Sequence, residues 1–351
     1  MAAASVLICE DSGIYAAALR RTLEYDGDIN VICVCGTAEE AVAATRRLRP
    51  DLITMDIELP GMDGLAAVEL IMGIRPIPII VLSSHLGPGT AKAAAALAAG
   101  ALDAVAKDDL DLASPASMAG AAFRQRIRVI SHANVIRHPR TRQAAAPAAP
   151  ARPTAPGQRR VASAVGICAS AGGPPVLAQV LGGLPGGYQV PVFVVQHISS
   201  GFTESLARWL DQKSPLPVRV AEDGQQAGPG VWIAPEGGHL VLNPDGQMSV
   251  DRTTILGHHR PSGDILLASI ATAAGRRGVA VVLTGMGNDG AAGTAAVHTA
   301  GGLAITQDRA SSAIYGMPKA AFDRGADLAL PPDQIVRCLA ALRYQPLGGS
   351  G

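Results

Sequence analysis

Short apolar runs that alternate with amphipathic or alanine-rich stretches are the feature that most constrains the fold of this chain. In the first 125 residues, five such runs predict β-strands at 5–9, 31–35, 51–55, 78–82 and 103–106. Helical stretches separate and follow them at 14–25, 38–48, 65–73, 90–99 and 116–130. Because the runs are almost continuously apolar, the strands are expected to be buried on both faces. Parallel sheets covered by helices have this character.

The same alternation returns in the second half of the chain. Strands are expected there near 163–168, 191–195, 279–283 and 303–306. The section 218–250 differs, because its short strands and turns predict inserted antiparallel hairpins. The predicted fold class is therefore α/β: a five-stranded parallel sheet, then a doubly wound α/β domain with an inserted antiparallel β section.

Charge is distributed unequally along the chain. Residues 1–115 hold 8 basic and 16 acidic residues, whereas residues 116–160 hold 9 arginines and no acid. Residues 161–351 are nearly balanced, with 12 basic and 13 acidic residues. Proline recurs every few residues from Pro139 to Gly157, which prevents a helix and predicts a semi-extended connector.

These patterns predict a first domain over 1–125, a basic Pro/Ala-rich linker over 126–160 and a second domain over 161–345. The formal net charge is zero, and the second domain lacks a basic recognition helix. A DNA-binding output domain is therefore disfavoured, and we expect no nucleic-acid partner.

Compartment and redox state are also constrained by the sequence. No apolar run approaches the roughly 18 residues of a membrane span, and residues 1–5 lack the basic segment of a secretory signal. The five cysteines are odd in number, and three lie in apolar runs. We expect a cytoplasmic protein that does not span the membrane, with buried thiols.

Polar side chains follow four of the five predicted strands in the first domain. Glu10 and Asp11 end the first strand, Asp56 the third, Ser83 the fourth and Lys107 the fifth. Functional groups of parallel sheets collect at the carboxyl ends of strands. Three converging carboxylates repel each other and suit Mg²⁺, and a hydroxyl and an ammonium beside them suit phosphoryl oxygens. Any single acid here could instead be a helix cap.

Over about residues 1–125 the chain resembles the response-regulator receiver family, a flavodoxin-like fold. The resemblance rests on Glu10-Asp11, on the segment MDIELPGMDG over 55–64, and on Lys107. It implies that Asp56 accepts a phosphoryl group from a chemotaxis histidine kinase. It also implies that Mg²⁺ is held by Glu10, Asp11, Asp56 and the Glu58 carbonyl. The phosphoryl oxygens would be bound by Ser83 and Lys107.

Two positions depart from the receiver pattern. The family usually has proline after the lysine and an aromatic residue three positions before it, whereas this chain has Asp108 and Ala104. The phosphorylation chemistry is expected to be intact, but its readout by an aromatic side chain is expected to be weaker.

In the second domain, three predicted strand ends carry the residue types of a hydrolytic triad. Ser170 follows the first strand in a glycine-rich turn before a helix, where backbone N–H groups can stabilise an oxyanion. His197 follows the second strand, and Asp289 follows the strand near 279–283. Alone, Ser170 could equally be an N-cap, and His197 could be a structural histidine. Together they meet the requirement for Ser-His-Asp hydrolysis.

A dinucleotide site is the competing interpretation of the same segment. Residues 285–290 read GMGNDG between a strand and a helix, and Asp308 follows at the end of the next strand. This satisfies the fingerprint of an NAD(P)-dependent oxidoreductase by position. The fingerprint leaves Ser170 and His197 unexplained, whereas hydrolysis uses all three strand ends.

Residues 161–345 closely resemble the catalytic domain of the CheB family of chemotaxis protein-glutamate methylesterases. The segments that carry the resemblance include CASAGG over 168–173, VVQH over 194–197, RPSGDIL over 260–266 and LTGMGNDGAAG over 283–293. It implies Ser170 as nucleophile, His197 as general base, Asp289 as its orienting acid and the Met286 amide in the oxyanion hole. Ala171 stands where the family usually has threonine.

The resemblance implies phosphorylation-activated hydrolysis of glutamyl methyl esters on methyl-accepting chemotaxis receptors, releasing methanol and restoring glutamate. Glutamine deamidation through a similar intermediate is expected as well, and the esterase chemistry needs no cofactor. The receiver is expected to cover the active site until Asp56 is phosphorylated.

Overall fold

The computed structural model describes residues 3–83, 88–133, 135, 160–254 and 259–347. Two parallel sheets organise these residues, one on either side of residue 160. Most of the predicted linker, residues 136–159, lies outside the described residues.

The first sheet contains the five predicted strands in the order β2-β1-β3-β4-β5, and all neighbouring pairs are parallel. Its strands are β1 (Ala4–Cys9), β2 (Ile29–Cys35), β3 (Leu52–Asp56), β4 (Ile79–Ser83) and β5 (Asp103–Ala106). Its helices are α1 (Gly13–Leu23), α2 (Ala38–Leu48), α3 (Gly64–Ile74), α4 (Pro88–Ala98) and α5 (Met118–Ile130). This strand order is that of flavodoxin-like folds, which the resemblance to receivers implied.

Local sequence explains where these helices begin. The side chains of Ser12, Thr37, Asp63 and Ser117 each accept a hydrogen bond from a backbone N–H in the first turn that follows. These residue types are the preferred N-caps. Helix α5 continues to Ile130, so five residues of the predicted linker belong to a helix.

The second sheet has seven parallel strands in the order β15-β14-β13-β7-β8-β10-β9. The strands of this half are β6 (Val161–Ala162), β7 (Ala164–Ala169), β8 (Val192–Gln196), β9 (Val218–Val220), β10 (Val231–Ile233), β11 (His239–Leu242), β12 (Met248–Asp251), β13 (Gly278–Val282), β14 (Leu303–Gln307), β15 (Leu328–Leu330) and β16 (Arg343–Tyr344). Its helices are α6 (Gly173–Gly182), α7 (Thr203–Asp211), α8 (Gly263–Ala274), α9 (Ala291–Thr299), α10 (Met317–Asp323) and α11 (Pro332–Ala340).

The section 218–250 is only partly antiparallel, which corrects the sequence prediction. Strands β11 and β12 form the expected antiparallel hairpin. Strands β9 and β10 instead extend the parallel sheet beyond β8. All three residues of β10 are buried, which suits a strand covered on both faces rather than one arm of a half-exposed hairpin.

Cys9, Cys35 and Cys168 are buried, whereas Cys33 and Cys338 are only partly buried, so the expectation of buried thiols holds for three of the five cysteines. Among the described residues, no helix combines the length and apolarity needed to cross a bilayer.

Candidate active site

Three adjacent strands of the second sheet place Ser170, His197 and Asp289 at one edge. Strand β7 lies between β13 and β8, and the register is parallel throughout. Ser170 directly follows β7, His197 directly follows β8, and Asp289 lies in the loop between β13 and α9. Parallel strands end at the same edge, so residues far apart in sequence meet there.

The imidazole and the carboxylate are in direct contact. His197 Nε2 lies 2.7 Å from Asp289 Oδ2, and both side chains are largely buried. Burial alone would raise the pKa of Asp289. The hydrogen bond from His197 and the backbone N–H groups of Gly263 and Asp264 outweigh burial and hold that pKa well below its usual range. Asp289 is therefore an ionised partner that can stabilise a protonated imidazole.

The other nitrogen of His197 is the one available for proton transfer. Its Nδ1 atom is buried and has no hydrogen-bond partner among the described residues. The ring of His259 stacks on the His197 ring, with centroids 4.1 Å apart and planes 8° apart. Contact with Asp289 on one edge and His259 on one face restricts the orientation of the imidazole.

The turn that carries Ser170 is fixed by backbone hydrogen bonds. The Ser170 N–H donates to the Thr284 carbonyl over 3.0 Å. The Ser170 carbonyl accepts from Gln196 Nε2 over 2.8 Å and from the Gly173 N–H over 2.8 Å. Gln196, the last residue of β8, thus ties the serine turn to the strand that carries His197.

Gly285 is the residue that allows Ser170 to lie where it does. A Cβ atom at Gly285 would stand 2.7 Å from Ser170 Cβ and 2.3 Å from Met317 Sδ. Both separations are shorter than carbon–carbon or carbon–sulfur contacts allow. The first glycine of GMGNDG therefore serves close packing against the serine turn.

Replacing Gly285 with alanine is expected to lower ester hydrolysis about 100-fold, because displacement of a reacting group by about 1 Å has an effect of this size. Methanol release by the purified variant measures it. Gly187→Ala is the matched control, since no atom lies within 4 Å of a Cβ there. Equal activities of the two variants would contradict the packing role.

The geometry does not support the dinucleotide interpretation. The space in front of Gly285 is filled by Ser170 and Met317, which leaves no room for a pyrophosphate against that glycine. Asp308, the expected ribose ligand, accepts hydrogen bonds from the Ser311 hydroxyl and from the Ser311 N–H. Gly287 and Gly290 have φ values of 89° and 88°, so they are needed by the turn itself.

Met286 follows Gly285 in the same loop, and its side chain is partly buried in a cluster with Ala171. Ala171 is itself buried. The role of the Met286 amide in an oxyanion hole stays a prediction.

Sequence reasoning missed Ser262 and undervalued His239. The Ser262 hydroxyl donates to Asp289 Oδ1 over 2.8 Å, and the Ser262 N–H donates to His239 Nδ1 over 3.1 Å. Ser262 stands in the segment 260–266 that carries the family resemblance, but neither Ser262 nor His239 follows an apolar strand predicted for the parallel sheet, which was the signal that marked the other site residues.

A second polar cluster lies at the carboxyl edge of the first sheet. Carboxylate oxygens of Glu10, Asp11 and Asp56 lie within 4.8 Å of one another. Lys107 Nζ lies 2.7 Å from Asp56 Oδ2 and 2.8 Å from Glu10 Oε2. Three hard oxygen donors, one of them exposed, fit a Mg²⁺ ion that keeps part of its water.

Glu58 and Ser83 lie next to this cluster, and their roles toward the metal and the phosphoryl group stay predictions. The Glu58 N–H donates to Asp56 Oδ1 over 3.0 Å, and Ser83 is a fully buried residue at the end of β4. Burial opposes the charge of Lys107, but its hydrogen bonds to Asp56 and Glu10 raise the pKa of the ammonium. Burial raises the pKa of Glu10, and the hydrogen bond from Lys107 offsets only part of this increase.

Tyr15 is a residue of this cluster that sequence reasoning missed. Lys107 Nζ lies 4.6 Å from the centroid of the Tyr15 ring, a cation–π distance. Tyr15 comes from α1, whereas the aromatic residue of the family pattern would stand at Ala104 on β5.

We expect Mg²⁺ to stabilise the wild-type protein and to stabilise Asp11→Asn less. A ligand present at ten times its Kd adds about 1.4 kcal/mol to the free energy of unfolding. Thermal unfolding with and without Mg²⁺ measures the difference. The same gain in both proteins would show that the ion binds elsewhere.

The first half of the chain packs directly on the serine turn. The Leu102 carbonyl, between α4 and β5, accepts a hydrogen bond from the Gly172 N–H over 2.7 Å. Phe202, next to α7, is fully buried in the core cluster of the first sheet. Asp103 is buried, forms an ion pair with Arg126 at 3.3 Å and interacts electrostatically with His197. Burial raises the pKa of Asp103, and the Arg126 guanidinium and the hydrogen bond from the Ala104 N–H oppose that shift.

Comparisons with known proteins find matches to both halves of the chain. The family model described as response regulator receiver domain matches residues 6–114, and the model described as CheB methylesterase matches residues 165–339. A solved CheB methylesterase catalytic domain from Thermotoga maritima is 38% identical, covers 51% of this chain and 97% of its own, and gives a TM-score of 0.49. The response regulator domain of Thermotoga maritima CheB is 29% identical, and the match covers 38% of this chain and 98% of that domain, with a TM-score of 0.33.

Full-length relatives extend the similarity across both halves. Protein-glutamate methylesterase/protein-glutamine glutaminase 3 of Myxococcus xanthus is 40% identical, over 95% of this chain and 93% of its own. Protein-glutamate methylesterase/protein-glutamine glutaminase 2 of Anaeromyxobacter dehalogenans is 41% identical, over 96% of each chain. At this identity and coverage, the chain belongs to the CheB family, in which a response-regulator receiver domain precedes a methylesterase domain.

Proposed function

We propose that this protein hydrolyses glutamyl methyl esters on chemoreceptors, releases methanol and restores glutamate. The observation that carries the proposal is the 2.7 Å contact between His197 and Asp289 beside the turn that presents Ser170. The two relatives described above are named protein-glutamate methylesterases, which supports the ester-hydrolysis part of the proposal.

In the proposed reaction, Ser170 Oγ forms a bond to the ester carbonyl carbon as its proton passes to His197 Nδ1. The tetrahedral oxyanion collapses, the bond to the methoxy group breaks, and the proton leaves with methanol. Water then attacks the acyl-enzyme, giving its proton to His197, and Ser170 regains its hydroxyl. Asp289 stabilises the imidazolium at both stages, and the Met286 amide stabilises the oxyanion.

Glutamine deamidation is proposed at the same site. An amide passes through the same tetrahedral and acyl intermediates, with ammonia leaving instead of methanol. The names of the relatives include protein-glutamine glutaminase.

We further propose that Asp56 accepts a phosphoryl group from a chemotaxis histidine kinase. Glu10, Asp11, Asp56 and the Glu58 carbonyl would hold Mg²⁺, which when bound neutralises charge on the transferring phosphoryl group. Ser83 and Lys107 bind the phosphoryl oxygens, and the Lys107 ammonium already lies at Asp56, the residue that receives the phosphoryl group. We propose a cytoplasmic location, where the protein would meet both the proposed kinase and the proposed receptor substrate.

In the unphosphorylated form, the receiver domain is proposed to inhibit the esterase by covering it. The hydrogen bond from the Gly172 N–H to the Leu102 carbonyl supports this, because it places receiver atoms beside the serine turn. The proposed hydrolysis by Ser170 is tested by measuring methanol release from methylated receptor membranes. Wild-type protein and Ser170→Ala are compared at equal concentration. Loss of release in the variant supports the proposal, and unchanged release contradicts it.

A further inference from the structure

A fully buried imidazole that the proposed reaction does not use lies behind Asp289. His239, the first residue of β11, is 0% exposed. Its Nε2 atom lies 3.2 Å from the Thr254 carbonyl, and its Nδ1 atom lies 3.1 Å from the Ser262 N–H. A carbonyl can only accept and an N–H can only donate, so the proton is on Nε2 and the lone pair is on Nδ1. The surroundings therefore select one neutral tautomer.

Ser262 links this imidazole to Asp289. It is the N-cap of α8 and is 2% exposed, yet its side chain makes no capping hydrogen bond to its own helix. The hydroxyl donates instead to Asp289 Oδ1 over 2.8 Å. The side chain of an N-cap serine normally accepts a hydrogen bond from a backbone N–H in the first turn of its helix, whereas the Ser262 side chain contacts Asp289 instead.

Asp289 takes over the capping of α8 from a distant part of the chain. The Gly263 N–H donates to Oδ2 over 2.6 Å, and the Asp264 N–H donates to Oδ1 over 3.0 Å. With the Ser262 hydroxyl, three donors from successive residues hold the two carboxylate oxygens. Oδ2 is also the atom that contacts His197. The position of the α8 N-terminus therefore sets the position of the acid.

We propose that His239 is a positioning residue of the esterase: it fixes the Ser262 backbone, and through the start of α8 it aims Asp289 Oδ2 at His197. The proposal rests on the proposed Ser170–His197–Asp289 triad. His239 touches none of the reacting atoms. An apolar residue in its place would leave the Ser262 N–H buried without an acceptor, so the first turn of α8 would move toward another one and displace Asp289.

Two substitutions separate this role from simple packing. His239→Asn keeps an acceptor, because its side-chain oxygen can stand near the position of Nδ1, whereas His239→Leu removes it. We expect His239→Leu to lower kcat about tenfold, as loss of an outer hydrogen-bond partner does at other functional groups, with KM little changed. His239→Asn is expected to recover most of the activity. His298→Asn, which alters an exposed histidine paired with Asp327, is the matched control and keeps wild-type activity.

The dependence of kcat/KM on pH is a second measurement, and a purely structural role of His239 would not change it. Asp289 stabilises the protonated form of His197, so a misplaced Asp289 shifts the acidic limb of kcat/KM to lower pH in His239→Leu. Among the described residues, the titratable groups shown to act on His197 are Asp289, His259 and Asp103, and none is substituted in these variants. The low-field proton resonance of the His197–Asp289 hydrogen bond is expected to weaken in parallel.

Wild-type kcat and an unshifted limb in His239→Leu would overturn the proposal. Equal losses in the leucine and asparagine variants with an unshifted limb would overturn it too, because they indicate packing alone. Should His239→Leu fail to fold, Ser262→Ala carries the test, since it removes one donor to Asp289 and is expected to shift the limb in the same direction. Full methanol release by Ser170→Ala would show instead that the proposed triad is wrong, whatever the His239 variants do.

Discussion

Replacing Ser170 with alanine is expected to lower methanol release by about 10⁴-fold or more while the protein stays folded. The variant lacks the hydroxyl that attacks the ester carbonyl, so the acyl-enzyme cannot form at this turn. His197→Ala and Asp289→Ala are expected to impair the reaction severely as well. Because triad members act as a unit, a double variant is expected to be little worse than the worst single one.

The chain offers matched controls for all three substitutions. Ser163 is a buried serine just before β7, at the opposite end of the strand from Ser170, and its hydroxyl donates to the Gln345 carbonyl. His298 and Asp327 form an exposed pair with a 3.0 Å contact and are not members of the proposed triad. Alanine at these control positions is expected to leave methanol release near the wild-type rate. Near-wild-type release by folded Ser170→Ala would contradict the triad.

Phosphorylation of Asp56 is expected to raise esterase activity in the full-length chain. The receiver domain contacts the serine turn through the Leu102 carbonyl, so activation requires a shift toward a state in which that contact is broken. A tenfold rise corresponds to about 1.4 kcal/mol of differential stabilisation of the open state. We expect a weaker response than in receivers with an aromatic residue on β5, because Ala104 is small and fully buried.

The assay is methanol release with and without a small-molecule phosphodonor and Mg²⁺. Asp56→Asn is expected to stay at the basal rate in both conditions. Asp51→Asn is the matched control, since Asp51 is an exposed acid that bonds Ser5 at the opposite edge of the sheet. Equal rates with and without the phosphodonor, once phosphorylation of Asp56 is verified by mass, would show that the receiver does not gate the esterase.

Much of the fold could be predicted because the strands are short, apolar and separated by recognisable helix starts. Strand β5 and helix α2 lie at the predicted residues, and most other elements differ by one or two at each end. The parallel pairing of β9 and β10 was not predicted, because three-residue strands carry too little pattern to distinguish a sheet edge from a hairpin.

The candidate triad was predictable for a similar reason. Ser170, His197 and Asp289 each follow a strongly apolar strand, and the topology of a parallel sheet brings such positions together. Their supports were not predictable from the same rule. Ser262 and His239 lie 27 and 50 residues from Asp289 in sequence, and their roles depend on how the β11–β12 hairpin packs on α8. The Leu102 contact uses a backbone carbonyl, which leaves no signature in a sequence.

Covalent labelling by a fluorophosphonate probe tests the central claim most directly, because the probe reacts with an activated serine and loses fluoride. We predict one labelled peptide, the one containing Ser170, in wild-type protein, and no label in Ser170→Ala. The labelling rate is predicted to rise when Asp56 is phosphorylated and not to rise in Asp56→Asn. Label on a different serine, or methanol release that persists after Ser170 is fully labelled, would contradict the claim that a receiver-covered Ser170 performs the hydrolysis.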